Sequence, residues 1–281
     1  MKIISVHFIL SGLLCSFINL SPKALAKNED QDQKSKIKVE NSSPGKTFTI
    51  GVEKLEYYPN YTYKGNEYGG FARAFLDSFA ASKGYTFKYE IVPIKRLFED
   101  YLHTDSKLDF KYPDNSYWQA DLKAKKNVIY SEPIVEYIDG VMVKKSNLGK
   151  GLTHLKKLGT ARGFTPWTYM DAINEKKVQV MENDSFSGLL HQTIGGRIDG
   201  AYISIAVAMY NLNKVLNRPD ELVFDQDLPH TRSFYHVSSL KFPEIIKELN
   251  EYLKTSKKEI SAMKKEYGVD INEYVSSKKG P

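Results

Sequence analysis

Between Asp109 and Asp121 the chain reads DFKYPDNSYWQAD, a stretch dense in groups that recognise other molecules. Tyr112 and Trp118 supply stacking faces and surfaces that attract a cation. Lys111 supplies a point charge that meets an anion with less geometric demand than an arginine. Asp114 and Asn115 follow Pro113, which suits them equally to a ligand's polar groups and to a plain turn. Trp118 is either the wall of a pocket or the apolar anchor beneath a loop. Loops that follow strands tend to carry function, which favours the pocket.

Three other segments carry comparable groups. In RGFTPW, Arg162 either adds charge to an anion site or stands exposed, and Thr165 precedes Pro166, a residue suited to the first helical position. Phe164 and Tyr169 are spaced as a hydrophobic staple. In NDSFS, Asp184 or Ser185 caps the next helix, and in SIA Ser204 caps the one after. Helix N-termini aimed at one crevice present free N–H groups and positive partial charge, which favours a carboxylate or other anion. The same caps equally do no more than start their helices. General acid–base work would fall to Asp114, Glu182 or His230. His103, His154, His191, His230 and His236 show no metal-ligand spacing, and Gly195-Gly196 precedes a strand where a phosphate loop needs a helix. No metal and no cofactor is expected.

These groups need elements to hold them. TFTIGV alternates as a strand with Phe48, Ile50 and Val52 on one face, and FARAFLDSFAASKG is helical up to Gly84. TFKYEIV alternates again, and IKRLFEDYL is helical through Ile94, Leu97, Phe98 and Tyr101. After Leu108 the pattern breaks, to resume with YIDGVMVKK as a strand. A second strand–helix series runs through LKKLGTA, PWTYMDAIN, KVQVME, SFSGLLHQTI, IDGAYI and IAVAMYNL. SFYHVSS is the last strand, followed by two amphipathic helices, the first bearing Phe242, Ile246, Leu249 and Leu253. Such alternation predicts βαβ units and largely parallel sheets, whose ligand crevice lies at the carboxyl ends of the strands.

The N-terminus reads as a secretory signal. Lys2 begins it, an apolar stretch follows, and Ala24-Leu25-Ala26 is the small-x-small pattern of a cleavage site after Ala26. Residues 27–46 are polar, mixed in charge and without period, as in a disordered leader. Cleavage would remove Cys15, the one cysteine of the 281 residues, which suits an oxidising compartment. It would also lower the net charge from +6 to about +4, since Lys2 and Lys23 go with it. The remaining lysines are scattered and not interleaved with aromatics, so nucleic acid is not an expected partner. No later stretch is apolar enough to span a bilayer.

The segments TFTIGVEKLEYYPNYTYKGNEYGGF, VIYSEPIVEYIDGVMVKK, LKKLGTARG and GGRIDGAY, in this order and spacing, resemble parts of the family-three bacterial extracellular solute-binding proteins. These are periplasmic receptors of ABC importers for amino acids and related polar solutes. The resemblance runs from about Thr47 to Tyr274. It implies an α/β fold of two lobes, the type II periplasmic-binding fold, each lobe a mostly parallel sheet flanked by helices. Lobe one would hold 47–136 and the return segment 233–281, lobe two 137–232, with two crossovers as a hinge. An aromatic is implied against the ligand near Pro59, which marks Tyr58, with Tyr57 beside it.

Amino-acid-binding members carry a Thr-x-x-Arg motif before YSEP, and its arginine clamps the ligand's α-carboxylate in bidentate fashion. Aligned back from Tyr130, Asp121 and Ala124 stand at those places. The aspartate that holds the α-amino group falls at Ser204. The resemblance therefore implies a monomeric binding protein, not an enzyme, that closes on a small polar ligand bearing a carboxylate but not on a standard α-amino acid. It would deliver that ligand to an inner-membrane ABC permease. A dehydratase-like enzyme on this fold and a ligand-presenting partner of a membrane sensor are the alternatives. The expected contacts are Tyr58, the residues Lys111, Tyr112, Asp114, Asn115 and Trp118, and Arg162, Phe164, Thr165 and Ser204.

Overall fold

The computed structural model describes residues 45–275. The expected signal peptide, the leader up to residue 44 and residues 276–281 lie outside the described residues. Twelve strands are present in the described residues: β1 (Thr47–Glu53), the hairpin β2 (Thr62–Lys64) and β3 (Glu67–Gly69), β4 (Thr86–Val92), β5 (Phe110–Asp114), β6 (Ile129–Tyr130), β7 (Val135–Lys144), β8 (Lys157–Ala161), β9 (Gln179–Asn183), β10 (Gly200–Ser204), β11 (Leu222–Phe224) and β12 (Thr231–Ser239).

The main sheet is two copies of one plan. In the first half the order is β4-β1-β5, all parallel, with β12 antiparallel outside β5. In the second it is β9-β8-β10, again parallel, with β7 antiparallel outside β10. Each half thus places its second strand on one side of its first and its third on the other, which makes a switch point at the carboxyl ends. Strands β7 and β12 join the halves. Thr231–Tyr235 of β12 pairs antiparallel with β7, and His236–Ser239 continues into pairing with β5 and β6. The lobe limits expected at 136 and 232 fall inside these two shared strands.

Helices cover both faces of the parallel strands, so β1 is buried on both sides rather than on the one face its alternation implied. A Cβ at Gly51 would come within 2.6 Å of both Leu97 and Leu108. The helix Phe71–Lys83 turns Phe71, Phe75, Leu76 and Phe79 onto the sheet and closes with Gly84 in the left-handed region. Each of these side chains contributes about 1.5–3 kcal/mol by burial. Phe79 packs on Phe87, and Phe48 on Phe110.

Four local expectations need correction. The stretch after Leu108 does not break the pattern; Phe110–Asp114 is the central strand β5, buried at every residue. Its alternation is hidden because Lys111 and Asp114 neutralise each other inside the protein. Thr165-Pro166 does not open an α-helix. Pro166 precedes a 3₁₀ turn, Trp167–Tyr169, and α-helix begins only at Met170. The staple does not form either: Phe164 packs on Tyr57 and Phe186, while Tyr169 donates to the Pro229 carbonyl and meets Tyr202 edge-on. Phe242, expected on the first C-terminal helix, precedes that helix (Pro243–Thr255) and packs on Phe48 and Phe110.

Candidate ligand-binding site

Strand β1 ends in Glu53, and the loop behind it folds back on itself. Tyr57 and Tyr61 exchange backbone hydrogen bonds of 3.0 and 3.3 Å, which sets their rings 5.1 Å apart and tilted. The Tyr61 hydroxyl donates to the Glu53 carboxylate at 2.5 Å. Beyond β5, a turn closed by Asn115 carries Trp118 and Gln119, the latter in the left-handed region at φ 50. From the second half comes the turn after β8. Gly163, at φ 87, takes a conformation that a side chain would strain, and so brings Phe164 and Thr165 inward. The shared strands form the back wall. Tyr137 and Asp139 alternate onto one face of β7, and Thr231 and Tyr235 onto the matching face of β12.

These residues enclose a cavity of about 120 Å³ where the carboxyl ends of both halves meet. Aromatic contacts bridge it. Tyr57 lies 5.5 Å from Phe164 and 5.2 Å from Phe186, and outside the cavity Tyr58 lies 4.4 Å from Tyr210. Tyr137 and Tyr235 stack at 4.4 Å, with Trp118 tilted against Tyr137 at 6.2 Å and edge-on to Tyr235 at 5.9 Å. Nine of the sixteen lining residues are aromatic, two are acids and none is basic, so no arginine or lysine clamp for an anion exists in the wall.

The two acids are unlike. Burial raises the Glu53 carboxyl above its usual range, while the Lys111 charge and the Tyr61 hydroxyl pull it back. Asp139 is surrounded by protein but keeps some accessible surface, which opens on the cavity. Burial pushes it up to about 7; the Tyr57 hydroxyl, 3.5 Å away, lowers it and the Glu53 charge raises it again. Among the described residues no lysine, arginine or histidine lies within ion-pair distance of Asp139. Burial also lifts the phenols of Tyr57, Tyr61 and Tyr235 well above their usual range, so all three remain protonated donors.

The expected contacts are dispersed by the fold. Trp118, Phe164 and Thr165 line the cavity. Lys111, Tyr112, Asp114 and Asn115 are buried beneath it. Asp114 pairs with Lys111 at 3.6 Å and Lys123 at 2.7 Å, and accepts from Ser238 at 2.6 Å. Lys111 also faces the rings of Phe98 and Trp118 at 4.2 and 5.5 Å. Asn115 spends its amide on Ser233 and the Phe234 carbonyl, which ties β5 to β12. Tyr58 stands outside the cavity against Tyr210, and Arg162 points to solvent, paired with Glu182 and Asp184. Ser204 starts its helix by position, but its hydroxyl makes no capping bond; it is fully buried beside Tyr57, whose phenol it draws back down against the effect of burial. Ser185 does cap, accepting from the Gly188 amide.

Of the acid–base candidates, Asp114 is consumed in its ion pairs, Glu182 is exposed with Arg162, and the His230 ring nitrogen contacts the Leu228 carbonyl. Glu53, Tyr61, Tyr137, Asp139, Tyr202 and Tyr235 were not expected at the site. Their signals were a carboxylate ending an apolar strand and an acid in the middle of another. No group of three or more His, Cys, Asp or Glu among the described residues is placed to hold a metal ion, and none of their helices is long and apolar enough to cross a membrane.

No family model matches the sequence, and no curated protein matches it. Solved structures do match. An ancestral arginine-binding protein bound to arginine has TM-score 0.61 at 20% identity, covering 80% of this chain and 99% of that one. An ancestral amino acid-binding protein, a precursor of cyclohexadienyl dehydratase, has TM-score 0.59 at 18% identity over 79% and 94%. A histidine kinase sensor domain with similarity to periplasmic binding proteins has TM-score 0.60 at 14% identity over 80% and 96%. These likenesses establish the two-lobed α/β periplasmic-binding fold expected from the sequence.

Proposed function

We propose that this protein is an exported solute-binding protein that closes its two lobes on a small organic ligand and passes it to a membrane partner. The observation that carries this reading is the cavity itself. It lies where the carboxyl ends of two like-ordered sheets meet, with walls from both halves and from the two strands that join them. Those shared strands give the lobes a hinge, and the bridging contacts of Tyr57 and Tyr58 give the closed state its stabilisation. The ligand is not a standard α-amino acid, because neither the arginine for a carboxylate nor the aspartate expected at Ser204 is in place. The anion expected from helix N-termini finds no basic group in the wall.

Export rests on the N-terminal signal pattern, and delivery to an inner-membrane ABC permease is the partner reading; the sensor-domain likeness supports a receptor in that place instead. Loss of uptake of the bound compound in cells lacking the protein favours import. The binding reading is tested by native mass spectrometry of the exported protein, with X-ray scattering before and after stripping by unfolding and refolding. A releasable small-molecule adduct and an expanded stripped protein are expected. A bare protein whose scattering does not change on that treatment refutes the reading.

A further inference from the structure

Charge accounting within the protein identifies the class of ligand. Three carboxylates are held in and beneath the cavity, Glu53, Asp114 and Asp139. Two ammonium groups are buried with them, Lys111 and Lys123. Lys123 and Lys111 both contact Asp114, and the Lys111 charge also acts on Glu53. That set is neutral. Asp139 is the remainder: its side chain accepts from the Tyr57 hydroxyl, the phenols of Tyr137, Tyr202 and Tyr235 lie around it, and no cation pairs with it among the described residues.

A buried carboxylate without a counter-ion is costly and takes up a proton when nothing better is present. A cation entering the cavity would replace that proton. The walls suit the same guest. Aromatic faces carry negative quadrupole charge and attract ammonium groups within about 6 Å of the ring centre. A neutral sugar would also stack on these rings, but it would leave Asp139 unpaired.

Resting on the binding reading above, we propose that the ligand is a small organic monocation, an amine or alkylammonium compound held without a carboxylate clamp. Tyr57, Trp118, Tyr137 and Tyr235 form its cage, and Asp139 is its counter-ion. The cavity is smaller than the roughly 300–1,000 Å³ of drug-sized sites, so the guest has few heavy atoms.

The test compares probes matched in shape and differing in charge, on stripped protein at pH 8. Choline is set against 3,3-dimethylbutan-1-ol, tyramine against 4-ethylphenol, and succinate represents the anions. Calorimetric titration should show binding of at least one cation, with its neutral counterpart weaker by roughly ten- to hundredfold, the value of one charge-assisted contact. Asp139→Asn should reduce cation affinity by the same factor while leaving the circular dichroism unchanged. Equal binding of a cation and its neutral counterpart overturns the proposal, as does binding of succinate alone or of no cation. An adduct of neutral or anionic mass in the native protein overturns it too, yet leaves the binding reading standing; absence of any adduct and any probe binding removes both.

Discussion

Lys111 separates structure from recognition most sharply. Its side chain is fully buried, with its ammonium 3.6 Å from Asp114 and over the Phe98 ring at 4.2 Å. Lys111→Ala leaves Lys123 as the one cation paired with Asp114 and removes the charge that steadies Glu53. Breaking a buried ion pair by deleting one partner costs about 3–5 kcal/mol, because the other charge stays buried. In a protein of this size each kcal/mol moves the thermal midpoint by about 2–4 °C, so the variant should melt roughly 6–20 °C lower. Asp114→Ala should do comparable harm by leaving two ammonium groups facing one another. The double variant should be less destabilised than the sum, with a coupling above about 1 kcal/mol. Urea unfolding of stripped protein and ligand titration on the same samples decide the matter. A Lys111→Ala protein within about 1 kcal/mol of wild type in urea, but with greatly weakened ligand binding, would refute the structural role and return Lys111 to the site.

Three further outcomes are expected. Burial pushes Asp139 from an ordinary 3.8 up to about 7, so the folded state binds the proton more tightly and ligand-free stability should fall as pH rises from about 4 through 7. The ceiling on that loss is about 4 kcal/mol at 1.36 kcal/mol per pH unit, and Asp139→Asn should flatten the slope in urea unfolding at a series of pH values. Trp118 is half-buried and lines the cavity, so Trp118→Ala should weaken cation binding by about 1 kcal/mol in calorimetry. Its cost to ligand-free stability should stay below the roughly 3–5 kcal/mol of a fully buried tryptophan. Tyr58→Ala removes a contact across the cleft worth about 0.5–1.5 kcal/mol, and the radius of gyration of the free protein should rise.

Much of the architecture was legible in the sequence, because period and order are local signals. The two strand–helix series, the stop at Gly84, the Ser185 cap and the final pair of helices could all be read from spacing. Strand β5 could not. Its lysine and aspartate look like surface chemistry until the fold places Lys123 and Ser238 beside them. The Thr165-Pro166 start was lost to tertiary packing, since Phe164 is drawn to Tyr57 across the cleft and not to Tyr169 along its own chain.

The site was less legible than the fold for a related reason. The loops after strands, where recognition residues tend to lie, supply Trp118, Phe164 and Thr165. The charge that decides the ligand class lies instead on a strand, at Asp139 in YIDGVMVKK. An acid in an apolar strand of a largely buried sheet has to face either a partner or a space. In β7 it pairs across to Thr231, which supplies no charge, and its nearest hydroxyl belongs to Tyr57 in the loop after β1. The residue is therefore read by three parts of the molecule at once: the shared strand that carries it, the loop after β1 that caps it and the turn after β8 that lines the cavity with it. A cation bound there would hold these parts together, so binding and closure would be one event in which the positive charge stabilises the compact state.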